Sequence, residues 1–281
     1  MTRIGGRPEG RPPFAVNPAS LAETVDAAGM SGHDEQGLAD PPPARAAHAI
    51  HDARRGKRGE ARLPPAVGVL VAIALYAVLP EPLLVGPRFL IPALELALLV
   101  ALIATNPWRM TRQTRWSRLV SLVLTAMVVI SNLVTLTLLV ADLVGAQETP
   151  GTNLLVAALQ IWATNVIAFG LIYWELDRGG PVARTQKARE ELPLADFRFT
   201  QDETQDTVVE VAAGSSKRAD WIPTFVDYLY LSTTNSSAFS PTDTMPLTSR
   251  AKILMAVQAT AALITSLLVI ARAVGALGGG G

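Results

Sequence analysis

Five polar side chains interrupt the long apolar runs of this sequence, and one of them can carry a charge. They are Glu95, Asn132, Gln160, Asn165 and Gln258. An ionisable group inside an apolar span is costly to bury, so Glu95 is a candidate ligand for a proton or a cation inside a helix bundle. Alternatively, its carboxyl group is protonated or hydrogen-bonded and fixes packing against Asn132, Gln160 or Asn165. The four amides favour hydrogen bonds between neighbouring helices, each contributing about 1 kcal/mol or less.

The residue types that most enzyme chemistry needs are absent or scattered. The chain of 281 residues has no cysteine, which excludes disulfides, thiolate catalysis and cysteine-ligated metals. No nucleophile and base form a catalytic pattern in or beside the apolar runs, so we expect neither an enzyme nor a cofactor, and no metal site. The formal net charge is zero, which gives no reason to expect a nucleic acid as a partner.

Apolar runs dominate the sequence after its first sixty residues. A helix needs about 20 apolar residues to cross a bilayer, and five runs approach or exceed that length, at residues 65–79, 89–105, 119–144, 154–174 and 251–277. They predict an all-α membrane protein with about five transmembrane helices. The first four runs make a four-helix transmembrane region at residues 63–177. A polar loop follows at residues 178–220, and a glycine tail at residues 278–281.

The charges predict an orientation. Residues 1–62 are rich in proline, glycine and charge, which predicts a disordered arm. The end of this arm is basic, as are the loop after the second span and the segment after the fourth, whereas the alternate loops carry only Arg88. Basic loops stay in the cytoplasm. We therefore expect a multi-pass protein of the cell (inner) membrane with a cytoplasmic N-terminus and the lipid bilayer as its partner.

Residues 221–277 follow a different pattern from the rest. An amphipathic stretch at 223–234 precedes a polar segment, a proline and a full apolar span. Twelve helical residues reach about 18 Å, only partway through a hydrocarbon core of about 30 Å. We expect a re-entrant half-helix that enters the lipid layer and turns back. The candidate pore positions, at and after its tip, are Thr234, Asn235, Ala238, Phe239, Ser240, Pro241, Thr242 and Asp243.

This order of segments resembles the pore module of a potassium channel. Leu229-Tyr230-Leu231-Ser232 stands where those channels carry Leu-Tyr-Phe-Ser, and Asp243 and Pro246 stand on the Asp and Pro after their selectivity filter. The family's filter is Thr-Val-Gly-Tyr-Gly, whereas this chain has Ala238-Phe239-Ser240-Pro241-Thr242. The filter glycines allow unusual backbone angles, and Pro241 fixes its own φ and lacks an N–H. The resemblance therefore implies the scaffold around a filter without a potassium-selective carbonyl ladder.

The orientation and the resemblance conflict. Four spans before the hairpin make it enter from the cytoplasm, whereas the pore module of potassium channels enters from outside. Either the module is inverted or one early segment, of which the first is the shortest, does not cross. Residues 161–165, 173–181 and 238–247 together also resemble an uncharacterised family of bacterial multi-pass membrane proteins, over about residues 64–275. That second resemblance implies no activity.

Three functions are compatible with these patterns. The resemblance implies a channel-like homo-oligomer, a tetramer by analogy, that passes monovalent cations non-selectively or conducts a small solute. A non-conducting membrane scaffold or sensor would use the hairpin for packing or docking. A secondary transporter would use Glu95 and the broken hairpin. Small residues four apart in the last span, among them Ala256 with Thr260 and Ala261 with Thr265, favour close helix contacts and oligomers.

Overall fold

The computed structural model describes residues 59–144, 151–203, 221–237 and 243–278. Residues 1–58 of the predicted arm lie outside the described residues, as do the filter-equivalent positions Ala238, Phe239, Ser240, Pro241 and Thr242. Gly59 and the three residues after it, which the sequence assigned to the arm, belong to the folded part, because Glu60–Ala61 form the first strand.

The described part of the chain is mostly helical. Its α-helices are α1 (Leu63–Ala77), α2 (Leu90–Thr105), α3 (Arg115–Val144), α4 (Gly151–Leu176), α5 (Pro181–Gln186), α6 (Phe225–Ser237) and α7 (Ser249–Gly278). Two short antiparallel strand pairs join β1 (Glu60–Ala61) to β2 (Arg109–Met110) and β3 (Phe197–Arg198) to β4 (Met245–Pro246). Short 3₁₀ turns cover Glu81–Leu83, Asp177–Gly179, Arg189–Glu191 and Thr200–Asp202.

Three helices are long and apolar enough to cross a membrane. They are α3 over Arg115–Leu143, α4 over Asn153–Gly179 and α7 over Ser249–Ala271. The apolar helices α1 and α2 have 15 and 16 residues, or about 23 Å at 1.5 Å per residue, which is shorter than a typical hydrocarbon core. The apolar runs in the sequence thus predicted where the long helices lie, and the fold is compatible with a membrane protein.

Helix α4 occupies the centre of the bundle and contacts α1, α3, α6 and α7. Its Ala157, Ala168 and Phe169 are fully buried. Gly170 allows α6 to pack closely, because a Cβ atom at this position would lie 3.3 Å from the Cα atom of Leu229. A larger residue at position 170 would therefore push α6 away from α4.

One end of the bundle collects the basic residues, and we call it the basic end. The β1–β2 pair joins the start of α1 to the end of α2 there, and Arg118 at the start of α3 forms an ion pair with Glu175 at the end of α4. The arginines at this end include Arg62, Arg109, Arg112, Arg115, Arg118, Arg178, Arg184, Arg189, Arg198 and Arg250. Helices α1, α2, α3, α4 and α7 consequently run in alternating directions.

Helix α6 and the segment leading into α7 form a hairpin with both ends at the basic end. At its start, the Phe225 ring packs edge-on against Trp174, with 6.0 Å between centroids. Helix α6 then runs antiparallel to α4, where the Ser232 hydroxyl donates to the Val166 carbonyl at 2.6 Å. After α6 the chain returns to β4, which pairs with β3 at the basic end.

Asp227 caps the start of α6 with one half of a capping box. The backbone N–H and the hydroxyl of Thr224 both donate to Asp227 Oδ2, at 2.7 and 2.9 Å. The bond from the Thr224 N–H satisfies a donor that the start of a helix leaves without a partner. The helix therefore begins at Phe225, two residues after the expected start, and extends three residues beyond the expected end at residue 234.

The segment that the sequence predicts to be a polar loop contributes to the core. Phe197 and Phe199 are 1% and 5% exposed. The Phe197 ring packs against Tyr173 at 5.1 Å, and the Phe199 ring packs against Tyr228 at 5.4 Å. Two aromatic residues spaced two apart lie on one side of an extended chain, so this segment covers the base of the hairpin.

Asp196 holds the start of α7 in place. The carboxylate of Asp196 is 1% exposed and accepts hydrogen bonds from Thr248 Oγ1 at 2.5 Å and from Arg250 Nε at 2.7 Å. The Thr248 hydroxyl in turn accepts from the Ala251 N–H at 3.2 Å, as a helix N-cap does. One carboxylate thus holds both the cap and the first turn of α7.

Replacing Asp196 is therefore expected to destabilise the fold. Asp196→Ala removes the acceptor for Thr248 and Arg250 and should lower the free energy of unfolding by about 1–3 kcal/mol. The matched control is Glu203→Ala, because the Glu203–Arg198 ion pair is 37–44% exposed and such pairs contribute about 0–1 kcal/mol. Tm in detergent, followed by tryptophan fluorescence, measures both. An equal Tm for the two variants would contradict the role given to Asp196.

Candidate functional site

The side chain of Gln258 on α7 lies at the centre of a buried polar cluster. It is 0% exposed. Its Nε2 donates to the Ser232 hydroxyl at 2.6 Å and to the Ser236 hydroxyl at 2.8 Å. Its Oε1 accepts from the Tyr173 hydroxyl at 2.6 Å and from Asn235 Nδ2 at 2.8 Å. A primary amide has two donor hydrogens and one acceptor oxygen, so both ends of this amide are used.

Two further amides connect the cluster to α3 and α4. Asn165 Nδ2 donates to the Gln258 backbone carbonyl at 3.4 Å, and Asn132 Nδ2 donates to Asn165 Oδ1 at 3.4 Å. The cluster therefore joins α3, α4, α6 and α7. The sequence predicted interhelical hydrogen bonds for these amides, and the structure confirms them for Asn132, Asn165 and Gln258.

The cluster lies well inside the bundle. Gln258 lies nine positions after Ser249, the first residue of α7, which places the cluster about 14 Å along this helix. Asn235 also donates to the Met255 carbonyl at 3.1 Å. The last turn of α6 is thus held at a fixed depth against α7.

The other polar residues predicted to act inside the bundle do not join the cluster. Glu95 is 2% exposed and lies on the inner face of α2 with Pro92, Leu99 and Leu102. No described residue forms a hydrogen bond with its carboxyl group, and Asn132 and Asn165 bond to each other instead. The Gln160 Oε1 atom is buried without a partner in the described ranges. The expected hydrogen bonds from these amides to Glu95 are therefore not formed.

The pore-equivalent positions that the structure describes lie in different places. Asn235 is buried in the cluster, whereas the Thr234 hydroxyl returns to its own helix and donates to the Leu231 carbonyl at 3.0 Å. Asp243 is exposed, two residues before β4 at the basic end. Thr248, which caps α7, is held by Asp196. Asp243 and Asn235 are consequently not brought together.

A second cluster anchors the base of the hairpin. Asp177 is 0% exposed, accepts from the Tyr228 hydroxyl at 2.5 Å and accepts from the Asp196 N–H at 2.7 Å. The guanidinium of Arg184, also 0% exposed, lies over the Tyr228 ring at 4.9 Å and donates to the Trp174 carbonyl at 2.7 Å. These contacts fix the first turn of α6 to the end of α4.

Glu60 joins the strand β1 to both helices of this anchor. Its Oε1 accepts from Trp174 Nε1 at 2.9 Å and from the Phe225 N–H at 2.7 Å. Its Oε2 lies 3.7 Å from Arg184 Nη2. Burial raises the pKa of the Glu60 carboxyl, and the positive charge of Arg184 opposes this rise. No sequence pattern pointed to Glu60, because it follows a stretch with the composition of a disordered arm.

The end of α4 depends on three residues with left-handed backbone. Arg178, Gly179 and Gly180 have φ values of 51°, 80° and 93°. A Cβ atom at position 180 would clash with the guanidinium of Arg118, which pairs there with Glu175. The Gly-Gly pair thus ends the helix and leaves room for this ion pair.

Comparisons with protein-family models, with curated proteins and with solved structures found no match to this chain. Within the described ranges, no group of three or more His, Asp or Glu residues is placed to hold a metal ion. The chemistry available to the two clusters is hydrogen bonding by amides and hydroxyls and ion pairing at the basic end. This chemistry suits the positioning of a polar helix end inside an apolar bundle.

The central role of Gln258 leads to a stability prediction. Gln258→Leu keeps the size of the side chain but leaves the Tyr173 hydroxyl and the donors of Asn235 short of an acceptor. A buried polar group without a partner costs about 1–3 kcal/mol, so the free energy of unfolding should fall by roughly 2–4 kcal/mol for this variant. Tm in detergent provides the measurement.

Gln160→Leu is the matched control for this substitution. It makes the same chemical change in a helix of the same bundle, but the Gln160 Oε1 atom already lacks a partner among the described residues. Its Tm is expected to be unchanged or higher. If both variants lose stability equally, the hydrogen bonds of Gln258 are not what holds α6.

Proposed function

We propose that the chain is a five-span protein of the cell membrane whose hairpin enters the bilayer halfway from the cytoplasmic side. Several copies assemble into a channel-like pore that passes monovalent cations non-selectively or conducts a small solute. The observation that carries this proposal is the hairpin itself, which begins and ends at the basic end and reaches about 14 Å along α7.

The depth of the hairpin tip indicates that water or protein, rather than lipid, surrounds it. Backbone that is not helical is tolerated at membrane depth only when protein buries it or water reaches it. Helix α6 ends at Ser237, which is exposed, and the chain must turn back beyond it. Lipid cannot satisfy backbone groups at this depth, so we propose that other copies of the chain or a water-filled path adjoin the end of α6.

The direction in which α6 runs supports a cation as the conducted species. Its last carbonyl groups have no partner within the helix, and the helix dipole gives this end a partial negative charge. The end lies near the middle of the bundle, where it would stabilise a cation. The resemblance to potassium channels supports the same use of a half-helix, while the sequence at residues 238–242 argues against their selectivity.

The exposed faces of α6 and α7 support assembly of several copies. The interior of one chain is filled by the clusters and the apolar core, so a pore needs more than one hairpin. On α6, Val226 and Tyr230 are exposed. On α7, the small residues Ala256 and Thr260 are exposed, whereas Ala261 and Thr265 are buried inside the chain. The Ala256–Thr260 row is therefore available for contacts between copies.

The orientation is supported by charge and by tryptophan. The basic end gathers the arginines, and positive loops stay in the cytoplasm. Trp108 and Trp116 at this end are 85% and 71% exposed, as residues at the membrane surface are. Trp174, at the same end of the bundle, is buried in the core and does not face the membrane surface. With alternating helices, this orientation makes the hairpin enter from the cytoplasm, which inverts it relative to the pore module of potassium channels.

A non-conducting scaffold is the second candidate. The hydrogen bonds of Ser232, Asn235 and Ser236 to Gln258 all lie within one chain. A hairpin with this bonding could serve as a rigid packing element. The two candidates differ in whether vesicles that contain the protein leak ions.

The absence of cysteine allows a direct test of hairpin depth. Single variants Lys187→Cys, Glu81→Cys, Ser237→Cys and Ile130→Cys place one thiol at the basic end, at the opposite end, at the hairpin tip and on the outer face of α3. A membrane-impermeant maleimide should label Glu81→Cys in intact cells. It should label Lys187→Cys and Ser237→Cys only in inside-out vesicles, because the hairpin opens to the cytoplasm.

Ile130→Cys is the matched control, because this residue is 59% exposed on an apolar face and lipid should shield it from either side. Labelling of Ser237→Cys in intact cells would mean that the segment crosses the bilayer. If Ser237→Cys resisted the maleimide on both sides, as Ile130→Cys should, the tip would not reach water.

Ion flux tests conduction. In proteoliposomes with a sodium or potassium gradient, the wild-type chain should dissipate the gradient. Asp243→Asn should slow this flux severalfold at low ionic strength and less at high salt, because an exposed carboxylate at a pore mouth attracts cations. Glu190→Gln changes another exposed carboxylate at the same end and should leave the flux unchanged. Vesicles that stay sealed at high protein density would favour the scaffold.

A further inference from the structure

A cavity of about 60 Å³ opens at the basic end between α1, α2, α3 and α4. Arg62, Arg112 and Arg118 line its rim, and apolar side chains such as Val69, Leu99 and Leu124 line its inner part. Neither α6 nor α7 contributes to its lining. The cavity is therefore separate from the hairpin and from the Gln258 cluster.

The rim carries more positive than negative charge. Three arginines face one carboxylate, that of Glu175. This carboxylate is already engaged, because it pairs with Arg118 Nη1 and accepts from the Ser121 hydroxyl. Asn106 holds the Arg112 backbone in place, since its Nδ2 donates to the Arg112 carbonyl at 2.8 Å. The rim is thus built by specific bonds and keeps an excess of positive charge.

Arg62 has unused hydrogen-bonding capacity at this rim. Its Nε atom is buried and has no partner among the described residues, and its Nη1 makes only a long bond of 3.5 Å to the Asn106 carbonyl. Burial lowers the pKa of the Arg62 guanidinium, while Glu175 opposes this change. A partly buried cation with unpaired donors gains most from an anion that can pair with it.

We infer that this cavity binds a phosphate group at the cytoplasmic face of the membrane. Guanidinium groups match phosphate oxygens in a fork of two hydrogen bonds, and a tetrahedral phosphate can meet several of them at once. Basic pockets between helices on this side of a membrane lie at the depth of lipid headgroups. The volume suits one such anion rather than an acyl chain, so the phosphate belongs to an anionic lipid headgroup or comes from solution.

The test uses the purified full-length chain in neutral detergent. Inorganic phosphate is titrated against chloride at equal ionic strength, with Tm as the measurement. In a second arm, native mass spectrometry measures retention of phosphatidylglycerol against phosphatidylcholine. Arg62→Gln is expected to weaken the binding about tenfold, because it removes a charge-assisted hydrogen bond. Arg115→Gln is the matched control, since Arg115 is exposed one turn before Arg118 and does not line the cavity.

Each outcome supports or overturns the inference. A rise in Tm with inorganic phosphate that needs about tenfold more phosphate in Arg62→Gln and is unchanged in Arg115→Gln supports a soluble phosphate. Retention of phosphatidylglycerol alone, with the same pattern of variants, supports a lipid headgroup. If the wild type binds neither ligand, or if both variants lose binding equally, the cavity is not a phosphate site. Should Arg62→Gln fail to fold, Arg112→Gln at the exposed rim replaces it with the same expected loss.

Discussion

The side-chain amide of Gln258 is the interaction on which the hairpin depends. Helix α6 has 13 residues, a length at which an isolated helix is marginal. Its inner face carries Ser232, Asn235 and Ser236, which lipid could not satisfy. One amide from α7 meets all three and also the Tyr173 hydroxyl of α4. Because these hydrogen bonds satisfy the polar face of α6, the face can be buried, and the same bonds fix the depth of α6 in the bundle.

The base of the hairpin depends on a different kind of interaction. There, buried carboxylates meet cations and backbone N–H groups, as Asp177 and Asp196 do. Glu60, Asp177 and Tyr228 lie far apart in sequence, and Arg184 contacts two of them and the backbone of the third. Hydrogen bonds to charged groups are stronger than neutral ones. Glu60 contacts the first residue of α6 directly, because its Oε1 accepts from the Phe225 N–H.

The sequence predicted the helices well and the clusters only in part. Apolar runs set helix position because an apolar stretch has few alternatives to burial. The amides of Asn132, Asn165 and Gln258 were correctly expected to bond between helices, because a polar group in an apolar run needs a partner. Which amide bonds to which depends on how the helices pack, and the sequence does not show this. One of the two interpretations of Glu95 placed it against the amides of Asn132, Gln160 or Asn165, but Asn132 and Asn165 bond to each other and to the Gln258 backbone instead.

Contacts between distant segments could not be predicted. Phe197 and Phe199 lie in a segment whose composition is polar overall, and their burial depends on the hairpin beneath them. Arg184 is fully buried, although an arginine in a basic loop is most often exposed. Its burial follows from the Gly179–Gly180 turn, which brings it under the end of α4, where it caps the Trp174 and Asp177 carbonyls.

In the proposed orientation, the hairpin enters the bundle from the side opposite to that expected from the resemblance to potassium channels. This inversion does not affect the proposed preference for cations. The field at the end of α6 depends on which end of the helix points into the bundle, and this is the C-terminal end whichever face of the membrane is crossed first. Inverting the module therefore keeps the partial negative charge at mid-depth. Selectivity depends instead on carbonyl groups arranged by a filter backbone, and Pro241 is incompatible with the glycine-dependent geometry of the potassium filter. Both points support the proposal of a cation pathway that lacks potassium selectivity.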